Sequence, residues 1–186
     1  MQQPVADDER TVIARMAAGD RAALAELYAR YRRPLLAYLR LITADAGLAE
    51  ELLQDTLLAA WTGAHGFAGR ASVQGWLFGI ARRRAHDTLR RRRLRLVDGS
   101  ALEATPSSEP NPEDLLLADA ERGELVVAIA RIGQLHQEIL VLTFVHDLSY
   151  QDLAEVLGIP MGTVKSRLSN AKRALREQFH REAECE

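Results

Sequence analysis

Residues 158–177 read GIPMGTVKSRLSNAKRALRE, and their pattern decides the fold of the C-terminal half. Val164, Leu168, Ala171 and Leu175 fall at i, i+4, i+7 and i+11, which aligns them on one stripe of an α-helix. At about 100° per residue, Ser166, Ser169, Asn170 and Arg173 point away from that stripe, with Lys165 and Lys172 on its flank. No acid occurs between Thr163 and Arg176. A merely solvated helix face mixes both signs of charge, whereas this one joins cations to short hydrogen-bonding groups. Such a face suits a groove of DNA.

The residues just before it, LSYQDLAEVLG (148–158), supply a second helix. Ser149 is a good N-cap, Asp152 follows three residues on in a near capping box, and Leu153, Val156 and Leu157 make an apolar face. Gly158 is the expected left-handed stop. Two short helices joined by a glycine-containing turn form a helix-turn-helix, whose second helix enters the major groove. A helical hairpin of an ordinary bundle shares this spacing. The acid-free outward face favours DNA binding over that alternative.

The chain as a whole has 186 residues, an apolar fraction of 47% and a net charge of −2, enough for one or two small domains with real cores. Leu, Ala, Arg and Glu dominate and no sustained period-two alternation appears, so the fold class is all-α. Near-neutrality hides a segregation of charge. Arg82 to Arg95 carries eight arginines and one acid, Asp87, whereas Asp98 to Glu124 carries eight acids and one base, Arg122. Phosphate responds to the local field, not to the sum. Cys185 is the single cysteine, which excludes an intrachain disulfide and a cysteine zinc cluster. No apolar run approaches the ~20 residues that span a bilayer, and the polar N-terminus is no signal peptide, so a cytosolic protein without membrane insertion is expected.

Two helical domains on an acidic joint follow from a pass along the chain. The first covers residues 8–95. Asp20 can cap a helix carrying Leu24, Leu27, Tyr28 and Tyr31, Pro34 is read as a kink or break, and a further helix holds Leu35, Leu36 and Leu39. AGLAEELLQDTLLAAW (46–61) is amphipathic, with Leu48, Leu52, Leu53, Thr56, Ala59 and Ala60 on one side and Glu50, Glu51, Gln54 and Asp55 on another. HGFAGRAS (65–72) is a loop, and the helix after it ends in the arginine run. Residues 96–111, LVDGSALEATPSSEPN, have the composition of a flexible linker. The second domain covers 112–181, opening with Asn111 as N-cap and Pro112 as first helical residue.

Three blocks in this order resemble the extracytoplasmic-function (ECF) group of bacterial sigma factors: AEELLQDTLLAAW (49–61), GWLFGIARRRAHDTLRRRR (75–93) and LSYQDLAEVLGIPMGTVKSRL (148–168). The resemblance runs from about Asp20 to Arg176 apart from the linker, and the last block is its most specific part. It implies a region 2 helical bundle and a region 4 helix-turn-helix that together start transcription. Region 2 would dock on the clamp coiled coil of the largest subunit of core RNA polymerase through Glu50, Glu51, Gln54, Asp55 and Leu58, and region 4 on the flap. An amphipathic helix with spare carboxylates suits an arginine-rich partner helix.

The same resemblance assigns promoter DNA to two surfaces. Phe67, Arg70, Ala71 and Ser72 would hold a flipped base of the melted −10 element, since unstacked bases need apolar walls beside cations. Trp76 reads as core. Arg82, Arg83, Arg90 and Arg91 would grip phosphates, giving affinity rather than sequence choice. Asp87 pairs with neighbouring arginines. Thr163, Lys165, Ser166, Arg167, Ser169, Asn170, Lys172 and Arg173 would face the −35 element, where lysine and arginine donate to guanine and asparagine pairs with adenine. An anti-sigma factor is an expected partner. Three positions depart from the family pattern: Arg83 stands for Asn, Ile132-Gly133 for Leu-Pro, and Leu57 for Phe.

Other functions fit less of the chain. His65, His86, His136, His146 and His180 are scattered without metal-ligand spacing, and no glycine-rich phosphate loop precedes a helix, so neither an enzyme, a metal nor a cofactor is expected. A conventional helix-turn-helix repressor or activator explains the C-terminal half but not the aromatic-plus-arginine block at residues 67–93. A third reading, without DNA, is a helical adaptor that binds another protein.

Overall fold

The computed structural model describes residues 3–97, 128–129 and 131–183. Among them are seven α-helices and no strand: α1 (Gln3–Ala17), α2 (Arg21–Thr43), α3 (Ala46–Gly63), α4 (Val73–Val97), α5 (Gln134–Leu140), α6 (Tyr150–Leu157) and α7 (Met161–Ala183). The Asn111–Pro112 helix start, Cys185 and all but the first two residues of the expected linker lie outside the described residues.

Capping residues set the helix starts. Asp20 accepts from Ala22 N–H at 2.8 Å at the head of α2, and Asp45 accepts from Leu48 N–H at 2.9 Å at the head of α3. Each such bond satisfies one of the amides that a first turn leaves unpaired. α2 corrects one expectation, for Pro34 neither breaks it nor starts a new helix. The reason is packing. Leu27, Tyr31, Leu35, Tyr38 and Leu39 form an unbroken buried stripe on both sides of the proline. Burial of each large side chain stabilises by about 1.5–3 kcal/mol, which together outweighs the ~3 kcal/mol an interior proline costs.

Helices α1 to α4 pack around Ile13, Met16, Leu52, Leu77 and Phe78, all at most 2% exposed. α3 buries Leu48, Leu52, Leu53, Thr56 and Ala60, the face its sequence marks, and Leu57 joins that core. In the C-terminal half, α5 runs into a single π turn, Val141–Val145, closed by His146 N–H donating to Val141 O at 3.1 Å. α6 and α7 follow with the expected cap and stop. Asp152 N–H donates to Ser149 Oγ at 3.1 Å, and Gly158 adopts φ 64°. The stripe Val164, Leu168, Ala171 and Leu175 is buried against α5 and α6.

The two halves also pack on each other, with α4 lying along α6. Their buried apolar residues form one cluster. His146 bridges the join, its ring centroid 4.6 Å from that of Phe78 and 6.4 Å from that of Tyr38.

Candidate nucleic-acid and polymerase interfaces

The helix-turn-helix fixes α7 by its buried stripe and thereby turns the opposite face outward. Lys165, Ser166, Arg167, Ser169, Asn170 and Arg173 are exposed, while Thr163 and Lys172 are half-buried. Local bonds hold part of this face. Ser166 Oγ donates to Thr163 O at 3.0 Å, Lys172 Nζ sits 5.3 Å above the Phe144 ring, and Arg173 Nε lies 3.9 Å from Glu177. Lys165 and Arg167 present donors, and Asn170 a donor and an acceptor, of the types that read base edges.

The second surface is built at the head of α4. A single 3-10 turn, Ala64–Gly66, covers the start of the expected loop, and Gly69 at φ 65° turns the chain back toward α4. Ser72 caps that helix, its Oγ accepting from Gly75 N–H at 2.9 Å and its carbonyl from Trp76 N–H at 2.9 Å. Phe67 packs on Trp76 with ring centroids 5.0 Å apart, so Trp76 is partly buried as the wall behind Phe67. Both rings, with Arg70, Ala71 and Arg83, line a cavity of about 220 Å³ whose far side is Glu155 of α6. Ser72 lies in the neighbouring cleft with Asp152.

The arginines grouped by sequence take different positions. Arg83 borders the Phe67 cavity. Arg90 lies 3.7 Å from Asp87, the pairing that the sequence suggests, and Arg91 Nη2 donates to Thr88 Oγ1 at 3.4 Å. Arg90 also lines a groove of about 410 Å³ with Arg93 and with Arg167 of α7, so cations of both halves meet there. Arg82 instead turns inward, and its Nε donates to Glu138 at 2.9 Å.

Glu138 is a residue that sequence reasoning missed. Its Oε1 accepts from Tyr38 OH at 2.8 Å as well as from Arg82, and His86 Nε2 stands 3.9 Å away. Burial works against its charge, but His86, Arg82 and the phenol outweigh that and hold the carboxyl down to about 2. Burial, reinforced by the nearby carboxylate, pushes the Tyr38 phenol up. The sequence marks Asp152 only as part of a cap, yet its Oδ1 accepts from Ser72 N–H at 2.8 Å across the join. Two signals lay in the sequence. Glu138 is an acid leading an apolar run, EILVLTF, and Gly75 sits inside a helix, where glycine marks close approach.

The third surface lies on α3. Glu50, Glu51, Gln54, Asp55 and Leu58 are all exposed, and Leu58 is 62% exposed despite its size. Residues 51, 54, 55 and 58 follow the spacing of one helix face. Glu50 also lies 3.8 Å from Arg40. Among the described residues no cluster of His, Cys, Asp and Glu could hold a metal ion, and no helix is long and apolar enough to cross a membrane.

Comparison with known proteins places the chain in a family. Residues 27–95 match Sigma-70 region 2, and residues 122–175 match Sigma-70, region 4. The ECF RNA polymerase sigma factor RpoE of Cereibacter sphaeroides is 36% identical over 161 residues, covering 86% of this chain and 88% of its own. The ECF RNA polymerase sigma factor SigL of Mycobacterium tuberculosis is 34% identical, covering 86% of this chain and 90% of its own. Among solved structures, the sigma factor RpoE in complex with the anti-sigma factor NepR from Bartonella quintana superposes with TM-score 0.61 at 25% identity, covering 84% of this chain and 96% of that one. CnrH in complex with the cytosolic domain of CnrY shares the fold, with TM-score 0.65 at 23% identity over 92% of this chain and 97% of that one. The helix-turn-helix and the arginine-bearing bundle are thus regions 4 and 2 of one device, and the chain belongs to the ECF group of the sigma-70 family of RNA polymerase sigma factors.

Proposed function

We propose that this sigma factor directs core RNA polymerase to promoters by a division of labour among the three surfaces. The observation that carries the reading is the presence, in one chain, of an exposed acid-free recognition face and a separate aromatic-and-arginine cavity at the head of α4. A duplex reader needs only the first. Opening DNA requires the second, because an unstacked base must exchange its neighbours for an apolar wall.

In this scheme residues 8–95 form the unit that binds polymerase and melts the −10 element, residues 96–111 the joint, and residues 112–181 the −35 reader. Thr163, Lys165, Ser166, Arg167, Ser169, Asn170, Lys172 and Arg173 contact the −35 duplex. Phe67, Arg70, Ala71 and Ser72 receive the −10 base, with Arg83 beside them in place of asparagine. Arg82, Arg90 and Arg91 serve the phosphates, Arg82 only once released from Glu138. Glu50, Glu51, Gln54, Asp55 and Leu58 meet the clamp coiled coil, while region 4 meets the flap. The complex of a 25%-identical relative with an anti-sigma factor supports control by such a partner.

Co-purification with core polymerase and promoter-dependent run-off transcription test the scheme. A sigma factor binds core and yields defined transcripts. A dimer that grips duplex DNA alone and adds nothing to core would be a conventional repressor or activator instead.

A further inference from the structure

Two opposite charges face the cavity beside Phe67 without meeting. Arg83 of α4 and Glu155 of α6 both line it, and both are exposed. Among the described residues neither makes a hydrogen bond or an ion pair, not even with the other. The sequence of α4 explains how the cation gets there. Gly75, Gly79 and Arg83 fall at i, i+4 and i+8, on one stripe of the helix. Helical side chains lean toward the N-terminus, so Arg83 runs back over Gly79, where an added Cβ would touch its Nη1 at 3.5 Å.

The remaining walls suit a flat ring. Phe67 and Trp76, with centroids 5.0 Å apart and planes tilted by 49°, form an aromatic side. Arg70 adds a second cation, and its carbonyl accepts from Gln151 Nε2 at 2.6 Å. At about 220 Å³ the cavity is smaller than the ~300–1,000 Å³ of sites that enclose a drug-sized ligand. A single base fits, and its sugar and phosphate stay at the mouth.

A base that joins the two charges needs adjacent acceptors on one edge and adjacent donors on another. Guanine has both. Its O6 and N7 accept two N–H groups from one arginine, and its N1–H and N2 amino group can donate to the two oxygens of a carboxylate. Adenine puts an amino donor beside N7 and an acceptor at N1, so it fails at both ends. A pyrimidine lacks the N7 edge. Aromatic stacking accepts any base, so the two charged groups do the choosing.

We propose that the cavity between α4 and α6 binds a guanine mononucleotide: the base lies against Phe67 and Trp76, its O6–N7 edge meets Arg83, its N1–N2 edge meets Glu155, and its phosphate meets Arg70. The −10 reading shares Phe67 and Arg70 with this site but gives Glu155 no part, so the two can fail separately.

The test titrates the full chain, without polymerase, with the 5′-monophosphates of guanosine, inosine and adenosine by isothermal titration calorimetry. The inosine nucleotide keeps O6, N7 and N1–H but lacks the N2 amino group. Glu155→Gln and Arg83→Lys alter exposed positions, so an unchanged melting temperature checks that both variants fold. The guanosine nucleotide should bind at least about tenfold more tightly than the adenosine one, with the inosine one between them. Glu155→Gln should weaken guanosine nucleotide binding about tenfold and erase its lead over inosine. Arg83→Lys keeps the charge but loses the two-pronged donor, so it should weaken guanosine and inosine nucleotides alike. Equal affinity for all three would mean that the cations hold phosphate only and that no base site exists. Guanosine nucleotide binding indifferent to Glu155→Gln would equally overturn the assignment. Promoter opening with core polymerase separates the two readings. Glu155→Gln should open promoters as the native chain does; if Arg70→Ala impairs opening while no nucleotide is preferred, the −10 reading stands and the guanine site falls.

Discussion

Glu138 is an acid with little solvent, and its neighbours decide what that is worth. Because its carboxyl is held at about 2, below the ordinary 4.5, its stabilising contribution is complete above about pH 4.5 and is lost as pH falls toward 2. The shift corresponds to a contribution on the order of 3 kcal/mol. Thermal unfolding of the native chain and of Glu138→Gln across pH should show the native chain ahead near neutrality and the gap closing as pH falls through that window. A gap independent of pH would mean the carboxylate is not ionised in the join. The residues proposed to face DNA divide by a different rule. Asn170→Ala should relax discrimination at one −35 base pair by about 1–3 kcal/mol, whereas Arg91→Ala should weaken all promoters alike and reduce the salt slope by about one. Holoenzyme binding to a panel of mutated promoters at several salt concentrations checks both. Arg82 shows what residue-level reading leaves out: composition groups it with the neighbouring arginines, but its partner Glu138 lies 56 positions away in sequence.

Helices were legible wherever a periodic face coincided with a cap. α6 and α7 follow from Ser149, Gly158 and the Val164–Leu175 stripe, and α3 follows from its leucines. Pro34 and the π turn were not legible, because a local breaker can be overridden by burial that only the assembled bundle provides, and because Val141–Val145 looks like any apolar helical run. Helix ends offer a paired prediction of opposite sign. Gly158 sits at φ 64° with open space around it, so Gly158→Ala should cost about 1 kcal/mol from backbone strain alone. Ala44, at φ 50°, already bears such strain, so Ala44→Gly should recover up to about 1 kcal/mol. Chemical denaturation of both variants would reveal the opposite shifts. On α3, the double substitution Glu51→Lys and Asp55→Lys alters only exposed positions, so it should leave the melting temperature within a few degrees while weakening core polymerase binding at least about tenfold. Equal loss of folding and binding would place these residues in the core of the fold rather than at a partner.

At the scale of the molecule, recognition and opening are assigned to helices far apart in the chain, and each surface can be weak alone. Tethering both to polymerase raises their effective concentration, so modest contacts at each element combine into a selective grip. The helical bundle and the helix-turn-helix were legible in the sequence, since local patterns of caps and apolar stripes carry both. It did not reveal how they meet, because His146 against Phe78 and Asp152 against Ser72 are contacts between residues with no periodic relation. The most direct test is strand opening itself. A promoter taken from transcripts that the overexpressed protein induces, with 2-aminopurine in its −10 element, reports unstacking as a rise in fluorescence. The account predicts a rise only when chain and core polymerase are both present, abolished by Phe67→Ala together with Arg70→Ala. A rise with core alone, or none with the complete holoenzyme on a promoter it demonstrably binds, would contradict it.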